Sequence, residues 1–202
     1  MIIPALFLLV AYLIGAIPFG YLLVKCITGA DVRASGSGNI GATNVLRTTG
    51  RAAGVATLLL DIAKGFLAVW LMAHMASGSP FWTSAAALAV MGGHAFPVFL
   101  RFHGGKAVAS FVGAFLCLTP LPLAAVLVVF VAVVAWTRYI SMGSIVSAAV
   151  FPLAVWIVLH PEWPVVASAA IAGAFIVYRH RGNLARLRAG TENVFTLGSR
   201  RP

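Results

Sequence analysis

Four stretches of this apolar chain combine glycine, hydroxyl, amide and basic residues. They are ASGSGNIGATNVLR (34–47), RFHGGKA (101–107), RYISMGS (138–144) and YRHRGNLARLRAGTE (178–192). Glycine lets backbone N–H groups approach an anion, Ser, Thr and Asn donate neutral hydrogen bonds, and Lys and Arg supply positive charge. These residue types together are typical of a surface that binds phosphate groups. One stretch alone is weak evidence, because a glycine- and serine-rich run is most often a linker and HGGK lacks the Ser or Thr that follows a P-loop lysine.

Carboxylates are scarce in the same stretches. The chain contains only Asp31, Asp61, Glu162 and Glu192, and no pair of them has the spacing of a Mg²⁺ site for nucleotide chemistry. The chain also lacks a G-x-S-x-G nucleophile motif and a His followed five positions later by Asp. We therefore expect a site that holds phosphates without a metal, a cofactor or a covalent nucleophile.

The elements that must position these residues are membrane-spanning helices. Of 202 residues, 61% are hydrophobic and 9% are charged, and the mean hydropathy is +1.02, so the chain has too little polar surface for a water-soluble globule. The prolines of TPLP (119–122) divide one uncharged run into two helices. The expected fold is an all-α integral membrane protein with seven transmembrane helices. They lie near residues 3–25, 52–75, 81–100, 107–119, 121–137, 142–159 and 164–179.

Basic residues indicate the orientation of these helices. With seven spans, every Lys and Arg except Lys64 lies on one side, which the positive-inside rule makes the cytoplasmic side. These residues are Lys25, Arg33, Arg47, Arg51, Arg101, Lys106, Arg138, Arg179, Arg181, Arg186, Arg188, Arg200 and Arg201. We predict an outside N-terminus, a cytoplasmic C-terminus and a fourth helix of only about 13 residues, too short to cross a bilayer unaided. All four polar stretches then lie on the cytoplasmic face of the membrane.

The net charge of +10 fits the same topology and an attraction to anionic lipids, and it gives no sign of nucleic-acid binding. Two ionisable residues lie deep in the second span, where Asp61 and Lys64 share one helix face at i and i+3. Such residues are candidates for function in a membrane, and the alternative is a structural pair that neutralises itself. His94, close to Pro97, is interpreted as a packed polar contact near a helix kink.

Three long motifs carry a resemblance to a known family. GSGNIGATN (36–44), GHAFPVFLRFHGGKAVA (93–109) and YRHRGNLARLRAGTE (178–192), together with LDIAKG (60–65), resemble the bacterial acyl-phosphate-dependent glycerol-3-phosphate acyltransferases. The resemblance extends over nearly the whole chain. It implies a single transmembrane acyltransferase domain at 1–195 in the bacterial cytoplasmic (inner) membrane, with its active site on the cytoplasmic face, and we expect 196–202 to be a disordered basic tail.

The family's activity would be transfer of a fatty acyl group from acyl phosphate to the 1-hydroxyl of sn-glycerol 3-phosphate. The products would be lysophosphatidic acid and phosphate, at the first step of bacterial phospholipid synthesis. Membrane lipids and functional coupling to the enzyme that makes acyl phosphate are the implied partners. Acyl-chain preference, substrate order, product exit and oligomeric state stay open.

The resemblance also implies roles for individual residues. Acyl phosphate would be bound by Ser37, Gly38, Asn39, Thr43, Asn44 and Lys106. Glycerol 3-phosphate would be bound by Arg47, Lys106, Ser144, His180 and Asn183. Lys106, His180, Ser37 and Arg47 form the catalytic set, and Glu192, Asp61, Lys64 and Arg181 are supporting residues. Ser141 competes with Ser144 for one position, and either His180 or a substrate phosphate is the base.

Two other classes of function are weighed against this one. A channel or transporter for phosphate esters would need polar residues through the bilayer depth on several helices, and few are present. A structural lipid-binding protein would not need Asn and Gly so densely beside Lys and Arg.

Overall fold

The structure is a computed structural model that describes residues 2–195. The predicted tail at 196–202 lies outside the described residues. Within them every regular element is a helix, with short 3₁₀ turns at Val32–Ala34 and Val98–Leu100. The α-helices are α1 (Ile2–Ala16), α2 (Phe19–Thr28), α3 (Ala42–Thr48), α4 (Arg51–Met75), α5 (Pro80–Ala95), α6 (Val108–Leu118), α7 (Pro120–Thr137), α8 (Ile140–Leu159), α9 (Trp163–Arg179) and α10 (Arg181–Arg188).

The helices are apolar enough for a membrane. Five helical segments have the length and hydropathy of a membrane span, and these are Ile3–Thr28, Arg51–Met75, Pro80–Leu100, Pro120–Thr137 and Ile140–Leu159. Two more apolar helices, Val108–Leu118 and Trp163–Arg179, are shorter. The predicted all-helical membrane architecture is confirmed, whereas the count of seven spans and their orientation stay predictions.

The first predicted span is two helices rather than one. α1 ends at Ala16 and α2 begins at Phe19, with Ile17 and Pro18 between them. Proline has no N–H to donate and its ring crowds the preceding turn, so the helical hydrogen bonds are interrupted there. The sequence interpretation also missed two short helices, α3 and α10, because both lie in polar stretches that were interpreted by residue type alone.

The chain divides into two compact units at the boundary between Leu118 and Thr119. In the first unit, α4 packs against α1, α5 and α6. The backbones of α4 and α6 approach so closely that a Cβ at Gly65 would overlap the carbonyl of Ser110, and one at Gly113 would overlap the carbonyl of Ile62. Small residues at such crossings allow close packing, which stabilises helix association in a membrane because no hydrophobic effect drives helices together in lipid. This contact places the start of α6, directly after the HGGK stretch, against α4.

In the second unit, α8 packs between α7 and α9, and α10 follows α9 after a break at His180. Phe151 and Val155 of α8 and Ile176 of α9 are fully buried and form part of the core. Ser147 of α8 donates from Oγ to the carbonyl of Val126 on α7, at 3.1 Å. These contacts hold the end of α9, where the third motif begins.

Candidate functional site

The first polar stretch is an ordered loop organised by one buried amide. Asn44, in the first turn of α3, is 2% exposed. Its Nδ2 lies 3.2, 3.1 and 2.8 Å from the carbonyl oxygens of Val32, Ser35 and Asn39, and its Oδ1 accepts a 2.8 Å hydrogen bond from the N–H of Ser37. The side chain therefore joins several turns of the loop to α3, and the stretch is not a flexible linker.

Gly36 is needed for this arrangement. Its φ of +61° lies in the left-handed region, and a Cβ there would overlap Oδ1 of Asn44. A second internal bond runs from the N–H of Gly41 to Oδ1 of Asn39, at 2.8 Å. Two asparagines of the loop thus form hydrogen bonds with several of the loop's backbone N–H and carbonyl groups.

The remaining predicted residues of this stretch lie around the same loop. Ser37 and Gly38 are exposed, and Asn39 and Thr43 are half-buried. Arg47 is exposed in the last turn of α3. The first unit therefore brings together the predicted acyl-phosphate residues of the first motif and Arg47.

The turn before α6 carries Lys106. After α5 ends, the chain makes the 3₁₀ turn Val98–Leu100 and then runs back, so that the N–H of Gly104 donates to the carbonyl of Ala95 and the N–H of Gly105 donates to the carbonyl of His94, both at 3.1 Å. Lys106 follows as a half-buried residue. The two glycines fit because a Cβ at either would overlap His94 or its neighbours.

The predicted pair inside the second span is present. Nζ of Lys64 lies 2.7 Å from Oδ1 of Asp61 and donates to the carbonyl of Ile17 at 2.8 Å. Nδ1 of His94 lies 3.6 Å from the same Asp61 oxygen and 3.2 Å from Oγ of Ser110. All four side chains are buried, so the predicted packed contact of His94 is confirmed and involves a charged neighbour.

The second unit contains a cluster centred on Glu192. Its Oε1 accepts from Oγ of Ser141 at 2.8 Å and from Nδ2 of Asn183 at 2.6 Å, and its Oε2 accepts from Nε of Arg186 at 2.7 Å. Glu192, Ser141 and Asn183 are buried. The carboxylate thereby joins α8, α10 and the segment that follows α10.

The environment of Glu192 favours its charged form. Burial raises the pKa of the carboxyl, but the hydrogen bonds from Asn183, Ser141 and Arg186 outweigh burial and hold the pKa below its usual value. A charged acceptor shared by three donors is among the stronger hydrogen-bonded arrangements in proteins. The cluster is therefore a rigid support for Asn183.

His180 lies at the junction of α9 and α10 and is 3% exposed. Its Nδ1 is 2.8 Å from the carbonyl of Ile176. Because a carbonyl only accepts, Nδ1 carries the proton, and in the neutral ring Nε2 is the acceptor. The ring is thus oriented and its tautomer is set before any substrate is bound.

The other predicted residues of the second unit have distinct surroundings. The hydroxyl of Ser144 is buried and donates to the carbonyl of Ile140 in its own helix, at 3.0 Å. Arg181 is exposed, and its guanidinium carbon lies 4.6 Å from the ring centroid of Tyr178. Ser144, His180 and Asn183 all belong to this unit, as do Glu192 and Arg181.

Sequence reasoning missed two contributors. Arg186 was counted only as a basic residue, although it contacts Glu192, and Ser110 was not considered although it contacts His94. Neither contact has a signal in the sequence, because His94 and Ser110 lie on different helices and Arg186 lies across a turn from Glu192. Among the described residues, no three His, Cys, Asp or Glu side chains are grouped as metal ligands would be.

Comparison with known proteins extends these observations. Residues 5–190 match the family described as glycerol-3-phosphate acyltransferase. The glycerol-3-phosphate acyltransferase of Geobacter sulfurreducens is 47% identical over 186 residues, which cover 92% of this chain and 94% of that protein. Glycerol-3-phosphate acyltransferase 2 of Moorella thermoacetica is 48% identical, with the same two shares covered.

Two solved structures have a similar fold. Both are crystal structures of PlsY (YgiH), an integral membrane glycerol 3-phosphate acyltransferase. The glycerol 3-phosphate form has a TM-score of 0.89 and 37% identity, and 96% of each chain is covered. The lysophosphatidic acid form has a TM-score of 0.87 and 35% identity, with 96% of this chain and 95% of that chain covered. The chain therefore belongs to the glycerol-3-phosphate acyltransferase family of integral membrane enzymes, as its motifs predicted.

Proposed function

We propose that this enzyme takes its fatty acyl group from acyl phosphate and transfers it to the 1-hydroxyl of sn-glycerol 3-phosphate. The products are 1-acyl-glycerol 3-phosphate, which is lysophosphatidic acid, and inorganic phosphate. The reaction is the first step of bacterial phospholipid synthesis. It uses no metal and no covalent acyl-enzyme.

The loop braced by Asn44 is the observation that carries this proposal. It is a rigid, glycine-containing turn with Ser37 and Gly38 exposed at its surface, and its backbone is ordered by its own amides. A preorganised polar loop of this kind suits a phosphate group, because little reorganisation is needed when the anion binds. The acyl phosphate is assigned to this loop.

Ser37, Gly38, Asn39 and Thr43 are assigned as the groups that contact this phosphate, and Lys106 as the cation that bridges both substrates. Asn44 has a different assignment from the rest of the loop. Its amide is already engaged by four backbone groups of the loop, so its contribution is to hold the others in place.

Arg47, Lys106, Ser144, His180 and Asn183 are assigned to glycerol 3-phosphate. Ser144 is preferred to Ser141 because the Ser141 hydroxyl already donates to Glu192, whereas Ser144 donates only to a carbonyl of its own helix and can redirect that proton. Glu192 supports Asn183, and Arg181 lies beside Tyr178 at the surface.

In the transfer step, the 1-hydroxyl oxygen of glycerol 3-phosphate attacks the acyl carbonyl carbon. A new ester C–O bond forms, the C–O bond to phosphate breaks, and the phosphate leaves with both electrons of that bond. The hydroxyl proton passes to a substrate phosphate, whose second pKa near 6 lets it act as a base at neutral pH. Nε2 of neutral His180 accepts a hydrogen bond from the substrate and orients it.

The enzyme mainly positions two anions and offsets their repulsion, because acyl phosphate is already activated. Seven spans with a cytoplasmic C-terminus would place this chemistry on the inner face of the bacterial cytoplasmic membrane. There it meets membrane lipids and the enzyme that supplies acyl phosphate.

Lys106→Ala tests the assignment. We expect a loss of turnover of at least about a hundredfold, since one preorganised charge at a phosphate is worth a few kcal/mol in the transition state. Lys25→Ala is the matched control, because Lys25 is an exposed lysine of the same unit whose Nζ donates to the carbonyl of Gly29 at 2.7 Å. Release of phosphate from palmitoyl phosphate is measured with purified protein in lipid cubic phase. Wild-type turnover by Lys106→Ala would remove the bridging role.

His180→Ala separates the two bases. If a substrate phosphate takes the proton, the variant raises KM for glycerol 3-phosphate and retains part of kcat. If the imidazole is the base, kcat itself collapses.

A further inference from the structure

We infer that the buried Asp61, Lys64 and His94 side chains act as a positioning cluster for Lys106. This inference rests on the proposed function of Lys106. The cluster touches neither substrate and acts through the turn that contains Gly104 and Gly105.

The cluster joins three elements that meet at α4. Lys64 forms an ion pair with Asp61 on its own helix and donates a hydrogen bond to the carbonyl of Ile17, at the break between α1 and α2. Asp61 lies 3.6 Å from Nδ1 of His94, near the end of α5. One buried ion pair therefore lies between the break that separates α1 from α2 and the end of α5.

His94 passes this restraint to the glycine turn in two ways. Its carbonyl accepts from the N–H of Gly105 at 3.1 Å, and its ring lies so close to Gly105 that a Cβ there would overlap Nε2. Gly105 is the residue before Lys106. The imidazole, which lies 3.6 Å from Asp61 and is hydrogen-bonded to Ser110, therefore restrains the backbone from which the Lys106 side chain extends.

The same side chains are not a nucleophilic triad. In a Ser-His-Asp triad the serine and the carboxylate contact opposite ring nitrogens. Here Ser110 and Asp61 both approach Nδ1 of His94, and Ser110 is completely buried. The serine and the carboxylate therefore do not lie at opposite ring nitrogens, and the arrangement differs from that of a triad.

A purely stabilising role explains the cluster poorly. A buried ion pair is seldom more stable than well-packed apolar residues of similar size, and in a membrane span both charges are costly. The partners of this pair are specific: a carbonyl at a helix break and a histidine beside the turn of Lys106. Positioning accounts for why the charges are there.

The test replaces both charges at once, so that neither is left unpaired. In Asp61→Leu/Lys64→Met, apolar side chains of similar size occupy the space of the ion pair, so the variant is expected to stay folded. Thr57→Val is the matched control: Thr57 is buried one turn before Asp61, and its hydroxyl donates only to the carbonyl of Ala53 in the same helix. Should the double variant fail to fold, His94→Asn takes its place. The Asn amide keeps a polar group at about the position of the His94 Nδ1 atom, and the ring that packs against Gly105 is removed.

The first readout needs no activity. Hydrogen exchange of the peptide that covers residues 103–107 is expected to become at least about tenfold faster in the cluster variant and to stay unchanged in Thr57→Val. Unchanged exchange in the cluster variant overturns the inference, whether or not the protein uses acyl phosphate. A wild-type protein that is inactive on palmitoyl phosphate and glycerol 3-phosphate would instead count against the proposed function.

The second readout is a double-mutant cycle with Lys106→Arg. We expect kcat/KM to fall about 30-fold for the cluster variant alone and less than about threefold further when Lys106 is already Arg, because both changes act on the same group. Equal losses in the two backgrounds show a role independent of Lys106 and overturn the inference. So does activity within about threefold of wild type in the cluster variant.

Discussion

The loop around Asn44 and the cluster around Glu192 solve the same problem with different chemistry. In each region a buried polar side chain holds its surroundings in place. Asn44 holds irregular backbone, and Glu192 holds neighbouring side chains. Asn44 uses a neutral amide and contacts only backbone groups. Glu192 uses a charge and, among the described residues, accepts hydrogen bonds from side chains.

The difference decides which groups each side chain can bind and how each region responds to a change in pH. An amide offers donors and an acceptor at once, so it can satisfy carbonyl oxygens and an N–H together, whereas a carboxylate can only accept. The amide beside the proposed acyl-phosphate loop also adds no negative charge that would repel the anion. The carboxylate is placed instead in the unit where Asn183 and Arg186 require an acceptor.

Asn44→Asp gives the largest expected effect on this comparison. The change keeps the shape but turns a donor toward the carbonyls of Val32, Ser35 and Asn39 into an acceptor. We expect activity at neutral pH to fall at least about a hundredfold, since buried acceptors then face one another. Asn193→Asp, at an exposed asparagine, is the matched control for the added charge. Full activity of Asn44→Asp with palmitoyl phosphate would show that the brace is dispensable.

Glu192→Gln should have the next largest effect. A Gln amide nitrogen can face Arg186, which also donates, so we expect a loss of about 1–3 kcal/mol in the free energy of unfolding. Thermal unfolding in detergent measures this, together with KM for glycerol 3-phosphate, which should rise. The exposed Glu162 provides the control Glu162→Gln, which should change neither quantity. An equal change for both glutamates would contradict the buried-cluster account.

The two regions should also differ in their response to acid. The pKa of Glu192 is lower in the folded protein than its usual value of 4.5, so its stabilisation is complete above that value and is lost as pH falls through the folded pKa. We expect the gap in melting temperature between wild type and Glu192→Gln to shrink as pH falls below about 4.5. The amide of Asn44 does not titrate, so the gap between wild type and Asn44→Ala should be constant. A gap for Glu192→Gln that is independent of pH would contradict the assignment of charge.

Asp31→Asn should give the smallest effect. Asp31 accepts from the side chain and the N–H of Arg33 beside the loop, and the side-chain hydrogen bond of Arg33 lowers its pKa from 3.8 to about 2. The pair is about one-third exposed, so its contribution is at most about 1 kcal/mol, and Asn still caps the turn. We expect activity within about twofold of wild type, against a larger loss in Asp31→Ala. A large loss in Asp31→Asn would mean that the charge, rather than the cap, supports the loop.

Much of the helical architecture could be predicted from the sequence. Long apolar runs have few alternatives in a membrane, because every backbone group must be paired inside the segment. The i, i+3 spacing of Asp61 and Lys64 likewise predicted their contact, which is confirmed. The break at Pro18 could have been predicted from the proline and was not.

The supporting roles within the motifs could not be predicted in the same way. Asn44 and Asn39 look equivalent in the sequence, and only the fold of the loop shows that Asn44 is buried among carbonyl groups whereas Asn39 holds one N–H. The contact of Ser141 with Glu192 joins residues 51 positions apart, and that of His94 with Ser110 joins two helices. Such pairings depend on tertiary packing, which local spacing does not encode.

The most direct test of the account is the choice of acyl donor. Purified wild-type protein in lipid cubic phase is given glycerol 3-phosphate with either palmitoyl phosphate or palmitoyl-CoA, and lysophosphatidic acid and phosphate are measured. We predict one phosphate released per lysophosphatidic acid with palmitoyl phosphate, dependent on glycerol 3-phosphate, and no product with palmitoyl-CoA. Product from palmitoyl-CoA alone, or phosphate release that does not require glycerol 3-phosphate, would contradict the account.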